Sequence, residues 1–157
     1  MEQLRAPALA ILPPPVLYAV AFLAGWGLTR LSGWDPDWIR APGVRWIGVA
    51  IAIFGLALSL SSAGLFVLRR TTLNPVGQPA LFVASGAYAW TRNPMYVGVT
   101  LVYLGAALAL GQVLTLALIV LPWAAVNLIV IPFEEARLRI TFGKDYDDYC
   151  RRVRRWL

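Results

Sequence analysis

Long apolar runs separated by short polar stretches dominate the 157-residue sequence. A helix that crosses a hydrocarbon core of about 30 Å needs roughly 20 predominantly apolar residues, and four runs approach or exceed this length. They cover residues 15–31, 44–68, 96–111 and 113–131. The pattern therefore predicts an all-α integral membrane bundle with four transmembrane helices, built as one domain over residues 1–157.

The third and fourth predicted crossings come from one uncharged stretch, residues 96–131. As a single helix this stretch would be about 54 Å long, which is too long for one crossing. Gly111 and Gln112 lie near its middle and favour a turn. A tight hairpin would return the chain to the face it left, so the segments before Tyr96 and after Ile131 are predicted to be neighbours.

Composition excludes several classes of protein. Hydrophobic residues make up 59% of the chain and charged residues 14%, and the mean hydropathy of +0.66 does not fit a soluble domain. The chain has one cysteine, Cys150, and no histidine, so we expect no intrachain disulfide and no metal site. A cleaved signal peptide is the alternative for the first run, but a proline triplet at positions 13–15 argues against it.

Basic residues are distributed unevenly between the two faces that four crossings would create. Eleven lie in the N-terminus, the predicted loop 69–95 and the predicted tail 132–157, against three on the other face, Arg30, Arg40 and Arg45. The positive-inside rule therefore predicts that both termini are cytoplasmic, and we expect the membrane to be a prokaryotic inner membrane. Contacts with anionic membrane lipids explain the net charge of +6, so no nucleic acid is expected as a partner.

Two polar segments lie at the open end of the predicted hairpin. Before the third crossing, Asn93 followed by Pro94 is typical of an N-cap and first turn. After the fourth crossing, Pro132 followed by Glu134 and Glu135 favours a helix start or kink, because acids there meet the positive end of the helix dipole.

The tail is predicted to end in a further helix. Gly143 is a plausible C-cap for the helix that carries the two glutamates, and Asp145 can cap the next one. In that last helix the apolar side chains fall at amphipathic spacing, which predicts a helix lying on the membrane surface. Its apolar face would consist of Tyr146, Tyr149, Cys150, Val153 and Trp156 or Leu157.

Over residues 74–156 the sequence resembles the isoprenylcysteine carboxyl methyltransferase and phospholipid methyltransferase group of membrane enzymes. Three spaced elements carry the resemblance. The first is Arg92-Asn93-Pro94-Met95-Tyr96-Val97-Gly98, preceded by Gly86 and Tyr88, where the family usually shows Arg-His-Pro-x-Tyr-x-Gly after a Gly-x-Tyr. The second is Glu134-Glu135 with Leu138, and the third is Phe142-Gly143 followed by Tyr146, Tyr149 and Val153.

Asn93 stands where the family usually has histidine. A side-chain amide can hydrogen-bond a carboxylate or a ribose hydroxyl as a ring nitrogen does, but it cannot transfer a proton. We therefore interpret Asn93 as a binding group and not as a base.

The resemblance implies an S-adenosylmethionine-dependent methyltransferase. This cofactor carries a sulfonium, an amino-acid end, a ribose and an adenine, so acceptors, aromatic faces and a guanidinium suit it. The implied cofactor-binding residues are Tyr88, Arg92, Asn93, Pro94, Tyr96, Gly98, Glu134, Glu135, Leu138 and Tyr146. The implied catalytic residues are Glu135, Tyr149, Arg152 and Arg154.

The methyl acceptor is expected to be a lipophilic molecule that enters from the bilayer. Methyl transfer needs the acceptor held close and aligned, without a covalent enzyme intermediate. The absence of histidine favours an acceptor that is already ionised, such as an isoprenylcysteine-type carboxylate positioned by Arg152 or Arg154. An amine or thiol acceptor would give its proton to Glu134, Tyr149 or water, so O-, N- and S-methylation all stay open.

Two other functions remain possible from the sequence. Membrane steroid and sterol reductases, which use NADPH, resemble this family in their C-terminal part, and a non-catalytic membrane scaffold would keep the fold alone. Several groups also have structural interpretations: the tyrosines and tail arginines as interfacial anchors, and loop 73–79 as a turn or a cover for the cofactor. Close helix packing is predicted for Ser59, Ser61, Ser62 and Gly64, and a belt at the far interface for Trp26, Trp34, Trp38 and Trp46.

Overall fold

The computed structural model describes residues 12–34, 36–68 and 83–157, together with Pro7 and Leu9. Over these residues the regular structure is helical, apart from an isolated bridge between Thr91 and Arg154. The prediction of an all-α protein is therefore confirmed. The α-helices are α1 (Pro14–Ser32), α2 (Pro42–Leu68), α3 (Pro94–Ala109), α4 (Val113–Leu118), α5 (Val120–Ala125), α6 (Ile131–Phe142) and α7 (Lys144–Arg152).

Three short elements connect these helices. A 3₁₀ turn, Asp37–Arg40, lies between α1 and α2, and a second, Gly86–Ala89, precedes α3. A π-helical segment, Val126–Val130, joins α5 to α6. Arg69, Arg70 and the loop 73–79, which the sequence assigns to the cytoplasmic face, lie outside the described residues, as does Arg5.

Two helical stretches are long and apolar enough to cross a membrane, Pro42–Leu65 and Val113–Phe142. Helix α3 is a shorter apolar helix of 16 residues. These lengths support a membrane protein, while the four-crossing topology and the cytoplasmic tail stay predictions. The tryptophans assigned to an interfacial belt, Trp26, Trp34, Trp38 and Trp46, are all exposed.

The helical path runs on past residue 131, where the fourth predicted crossing ends. In a regular α-helix Pro132 would remove a backbone hydrogen bond and press its ring against a carbonyl in the preceding turn. The chain instead widens into the π-helical segment just before the proline, and α6 begins at Ile131 with a proline in its first turn. Glu134 and Glu135 are therefore carried on a rigid helix rather than on a loop.

Helices α2 and α3 pack with their backbones in close contact, at glycines of both helices. A Cβ added to Gly98 would lie 2.6 Å from the Gly55 carbonyl oxygen, and one added to Gly105 would lie 2.5 Å from that of Gly48. Small residues permit such close approach between apolar helices. We call this contact the glycine seam (Gly48, Gly55, Gly98 and Gly105).

The predicted small-residue face of α2 takes part in this packing unevenly. Ser59 donates a hydrogen bond to the Met95 carbonyl at 2.9 Å, and Ser62 is fully buried. Ser61 is exposed, and a Cβ on Gly64 would have no described atom within 4 Å. Two of the four predicted positions, Ser59 and Ser62, therefore take part in the packing.

The turn between the third and fourth predicted crossings lies where the sequence places it. Gly111 has a positive φ of 65°, and the backbone N–H of Gln112 donates to the Ala107 carbonyl at 2.8 Å. Below the turn, the Tyr103 hydroxyl donates to the Thr115 carbonyl at 2.7 Å. This bond ties α3 to α4, so the hairpin closes as predicted.

The last helix is shorter than its amphipathic spacing predicts. Gly143, with φ 51°, ends α6 as expected and also precedes α7, so Asp145 lies in the first turn and does not cap it. Helix α7 ends at Arg152, and Val153 is already extended. The prediction that Val153 and Trp156 or Leu157 continue the helix is wrong, because this segment pairs with residues 91–93 instead. We call residues 153–157 the C-terminal strap.

Candidate functional site

Three separate parts of the chain meet at one end of the hairpin: the turn before α3, the start of α6 and the C-terminal strap. The Arg92 guanidinium lies 3.3 Å from Glu135 Oε1, and the Tyr96 hydroxyl donates to Glu134 Oε1 at 2.6 Å. Arg155 of the strap forms a second ion pair with Glu135, at 2.8 Å. The predicted meeting of the asparagine–proline turn with the paired glutamates is therefore present in the structure.

Glu135 is enclosed by two arginines. Arg155 donates from Nε to Oε1 at 3.2 Å and from its terminal nitrogen to Oε2 at 2.8 Å, and Arg92 forms the second ion pair. Only 6% of the Glu135 side chain is exposed. The bond to Glu135 raises the pKa of Arg155, and the three groups together carry one net positive charge.

Glu134, one residue earlier on α6, has a different environment. Its carboxylate accepts the hydrogen bond from Tyr96, and no described lysine or arginine lies within 4.0 Å of it. Adjacent positions on a helix point about 100° apart, which explains why the two acids have different partners. One glutamate is thus neutralised by arginines, and the other keeps its acceptor capacity for a cation or a hydroxyl group.

Arg92 retains unused hydrogen-bonding capacity. Its Nε is buried and has no hydrogen-bond partner among the described residues. A buried guanidinium nitrogen without an acceptor is costly, and a carboxylate or phosphate is the usual group that satisfies it. This nitrogen as a donor and the Glu134 carboxylate as an acceptor suit a ligand that carries both a carboxylate and an ammonium group.

Three buried tyrosines pack beside these charges. The Tyr149 hydroxyl donates to the Tyr88 carbonyl at 2.7 Å, and the Tyr146 and Tyr149 rings lie 6.0 Å apart. Burial raises the pKa of all three phenols, and the negative charge of Glu134 adds to the rise at Tyr88. The three phenols are therefore neutral at physiological pH, and the Tyr149 hydroxyl is positioned as a donor rather than as a base.

Asn93 and Pro94 begin α3 as predicted, but the amide has an unexpected partner. Asn93 makes no side-chain cap; its Nδ2 donates to the Arg155 carbonyl at 3.0 Å. Pro94 is fully buried in the first turn of α3. Asn93 thus binds the strap in this structure, a contact that its position in the sequence does not indicate.

The other predicted site residues lie at varying distances from this cluster. Gly98 is part of the glycine seam, where a Cβ would meet Ser59 Oγ at 2.5 Å. Leu138 is half-buried on α6, one turn after Glu134. Arg152 and Arg154 are exposed, and the Arg154 carbonyl accepts the backbone N–H of Arg92 at 2.9 Å.

Sequence reasoning missed Arg155, which is the closest ionic partner of Glu135 in the structure. Thr91 was missed as well: it is 2% exposed and donates to the Arg155 carbonyl at 3.0 Å. Four arginines lie between positions 151 and 155, so charge alone could not single one out. The amphipathic spacing continues past α7 through Val153 and Trp156, so no local signal in the sequence pointed to Arg155.

Comparison with known families supports the chemistry that these residues suggest. The sequence model of the family described as phospholipid methyltransferase matches residues 44–145, more than half of the chain. The matched stretch includes α2 from residue 44 onwards, the turn at 91–93 and both glutamates, and it does not favour the reductase alternative. Searches of curated proteins and of solved structures found no match.

Proposed function

Because the chain belongs to the phospholipid methyltransferase family, a family of integral membrane methyltransferases, we propose that it transfers a methyl group from S-adenosylmethionine to a lipophilic acceptor. The acceptor would enter from the bilayer, since the site lies at the ends of apolar helices. The observation that carries the proposal is the buried cluster of Arg92, Glu134, Glu135 and Arg155 at the open end of the hairpin.

Each end of the cofactor has a matching group in this cluster. Arg92 Nε, buried without a partner among the described residues, would donate to the cofactor carboxylate. Glu134 would accept from the ammonium or a ribose hydroxyl while Tyr96 holds its other side. The ring faces of Tyr88 and Tyr96 suit the sulfonium and adenine. When bound, S-adenosylmethionine supplies an electrophilic methyl group on a sulfonium that leaves as a neutral thioether.

In this arrangement Glu135 acts as a positioning residue. Both of its oxygens are already bonded by Arg155, and Arg92 shares one of them. Glu135 therefore holds the Arg92 guanidinium in place through a terminal nitrogen, and Arg92 Nε stays available for another acceptor. Tyr149 supports the turn through the Tyr88 carbonyl in the same indirect way.

The acceptor is proposed to carry an ionised oxygen or a similarly poised nucleophile. The chain contains no histidine, and the phenols beside the site are neutral, so strong bases are scarce there. Exposed Arg152 lies next to the strap and exposed Arg154 lies within it, and both suit a role in attracting an anionic head group. The protein's remaining contribution would be alignment and exclusion of water.

Equilibrium titration of detergent-purified protein tests the proposal. We expect S-adenosylmethionine and S-adenosylhomocysteine to bind with about 5 to 8 kcal/mol, which corresponds to micromolar to sub-millimolar affinity. NADPH should give no saturable signal. Saturable NADPH binding without binding of either sulfur nucleoside would support a reductase, and absence of all three would support a scaffold.

A further inference from the structure

The C-terminal strap is fixed to the turn before α3 by a dense set of hydrogen bonds. The Arg155 carbonyl accepts from Thr91 Oγ1 at 3.0 Å and from Asn93 Nδ2 at 3.0 Å. One residue earlier, the Arg154 carbonyl accepts the Arg92 amide at 2.9 Å. Thr91 also accepts the Asn93 backbone N–H at 3.2 Å, so the two donors to Arg155 support each other.

The other end of the strap is fixed to the hairpin. Trp156 Nε1 donates to Asn127 Oδ1 at 2.9 Å, and its ring lies 6.0 Å from that of Trp123. Asn127 belongs to the π-helical segment that precedes the two glutamates. Widened helical turns of this kind commonly re-aim side chains near functional sites.

Both ends of Arg155 are held. Its carbonyl accepts from Thr91, and its guanidinium donates to Glu135. If Arg155 were displaced, Glu135 would keep Arg92 as its only described ionic partner. Glu135 would then draw Arg92 into a full bidentate pair, because a buried carboxylate needs its charge compensated. The orientation of Arg92 Nε thus depends on where the strap holds Arg155.

We propose that Thr91, Asn93 and Asn127 form a latch that holds Arg155 on Glu135 and so leaves Arg92 Nε available to bind the carboxylate at the amino-acid end of the cofactor. The inference rests on the proposed function and adds Arg155 as a positioning residue. It also assigns Asn93, which stands in place of the usual histidine, to the latch rather than to the cofactor.

The test uses Thr91→Val, which keeps the shape of the side chain and removes the hydroxyl. Affinities are measured on the full-length protein for S-adenosylhomocysteine and for 5′-methylthioadenosine, which lacks the amino-acid end. We expect Thr91→Val and Arg155→Gln each to weaken S-adenosylhomocysteine about tenfold, and to change 5′-methylthioadenosine less than about twofold. Thr91→Ser restores the hydroxyl and should restore the affinity.

Coupling and a matched control complete the test. Because Thr91 acts through Arg155, the double variant should be no weaker than Arg155→Gln alone. Thr141→Val removes a comparable hydroxyl bond, to the Arg137 carbonyl on the exposed side of α6, and should change neither affinity.

Each result decides between the alternatives. Equal loss of both ligands in Thr91→Val, or independent losses that multiply in the double variant, overturns the latch while the proposed function stands. Failure of the wild-type protein to bind either nucleoside overturns the proposed function and the latch with it.

Discussion

The glycine seam and the charged cluster at the end of the hairpin are both tightly packed, but they depend on different physical terms. In the seam, the added Cβ contacts of 2.5 to 2.6 Å at Gly105 and Gly98 show that shape alone determines which residues fit. In the cluster, the arrangement of Arg92, Glu135 and Arg155 depends on attraction between opposite charges and not on steric fit. The seam is therefore sensitive to added volume and the cluster to lost charge.

The largest effect is expected from removing the central acid of the cluster. Glu135→Ala leaves two arginines facing each other and should cost about 3 kcal/mol, the low end for a broken buried pair, because Arg155 is 34% exposed. Unfolding in mixed detergent measures this loss. Glu134 has no described lysine or arginine within 4.0 Å, so Glu134→Ala should cost much less; equal losses would erase the distinction between the two acids.

A smaller loss is expected from adding volume to the seam. Gly55→Ala places a methyl group 2.6 Å from the Gly98 carbonyl oxygen and should destabilise the protein by about 2 kcal/mol through overpacking. Gly64→Ala on the same helix would meet no described atom within 4 Å and should be neutral or stabilising by up to about 1 kcal/mol. The same unfolding assay compares them, and a similar response at both positions would contradict the packing account.

The next effect concerns ligand affinity rather than folding. Glu134→Gln removes the negative charge and keeps the size, so S-adenosylmethionine should bind about tenfold more weakly, a loss of about 1.4 kcal/mol. Tyr96→Phe removes the donor that orients Glu134 and should weaken binding by a smaller factor. Calorimetric titration measures both. Unchanged affinity in Glu134→Gln would show that Glu134 does not contact the cofactor.

The smallest effect is expected at an exposed ion pair near the cluster. Arg139 and Asp147 lie 3.3 Å apart with about half of each side chain exposed. Asp147→Asn, which leaves the Arg139 guanidinium over the Tyr146 ring, should therefore change stability by less than about 1 kcal/mol, as exposed pairs usually do. A loss comparable to that of Glu135→Ala would mean that burial does not distinguish the cluster from the surface.

The apolar pattern was sufficient to predict the helices and the hairpin. Periodicity and turn residues act over neighbouring positions, so the turn at Gly111 and the helix start at Pro94 follow from local sequence. Because these signals are local, the sequence alone predicts that the turn at 91–93 lies close to the two glutamates. The uncharged stretch between them contains a turn at Gly111, which brings its two ends to the same side.

The strap could not be predicted by the same reasoning. The spacing of Tyr149, Val153 and Trp156 favours a continued helix, but hydrogen bonds to Thr91 and Asn93 override it. These partners lie more than 60 residues away in the sequence. Long-range pairing of this kind leaves no periodic signal, so Arg155 remained hidden among its neighbouring arginines.

The central claim is that the turn before α3 and the start of α6 form one nucleoside site. The most direct measurement is the affinity of Arg92→Gln for S-adenosylhomocysteine, with Arg45→Gln, at an exposed arginine of α2, as a matched loss of one surface charge. Because Arg155 still neutralises Glu135, the protein should fold, and its affinity should fall at least about tenfold while the control is unchanged. Wild-type affinity in Arg92→Gln would contradict the claim.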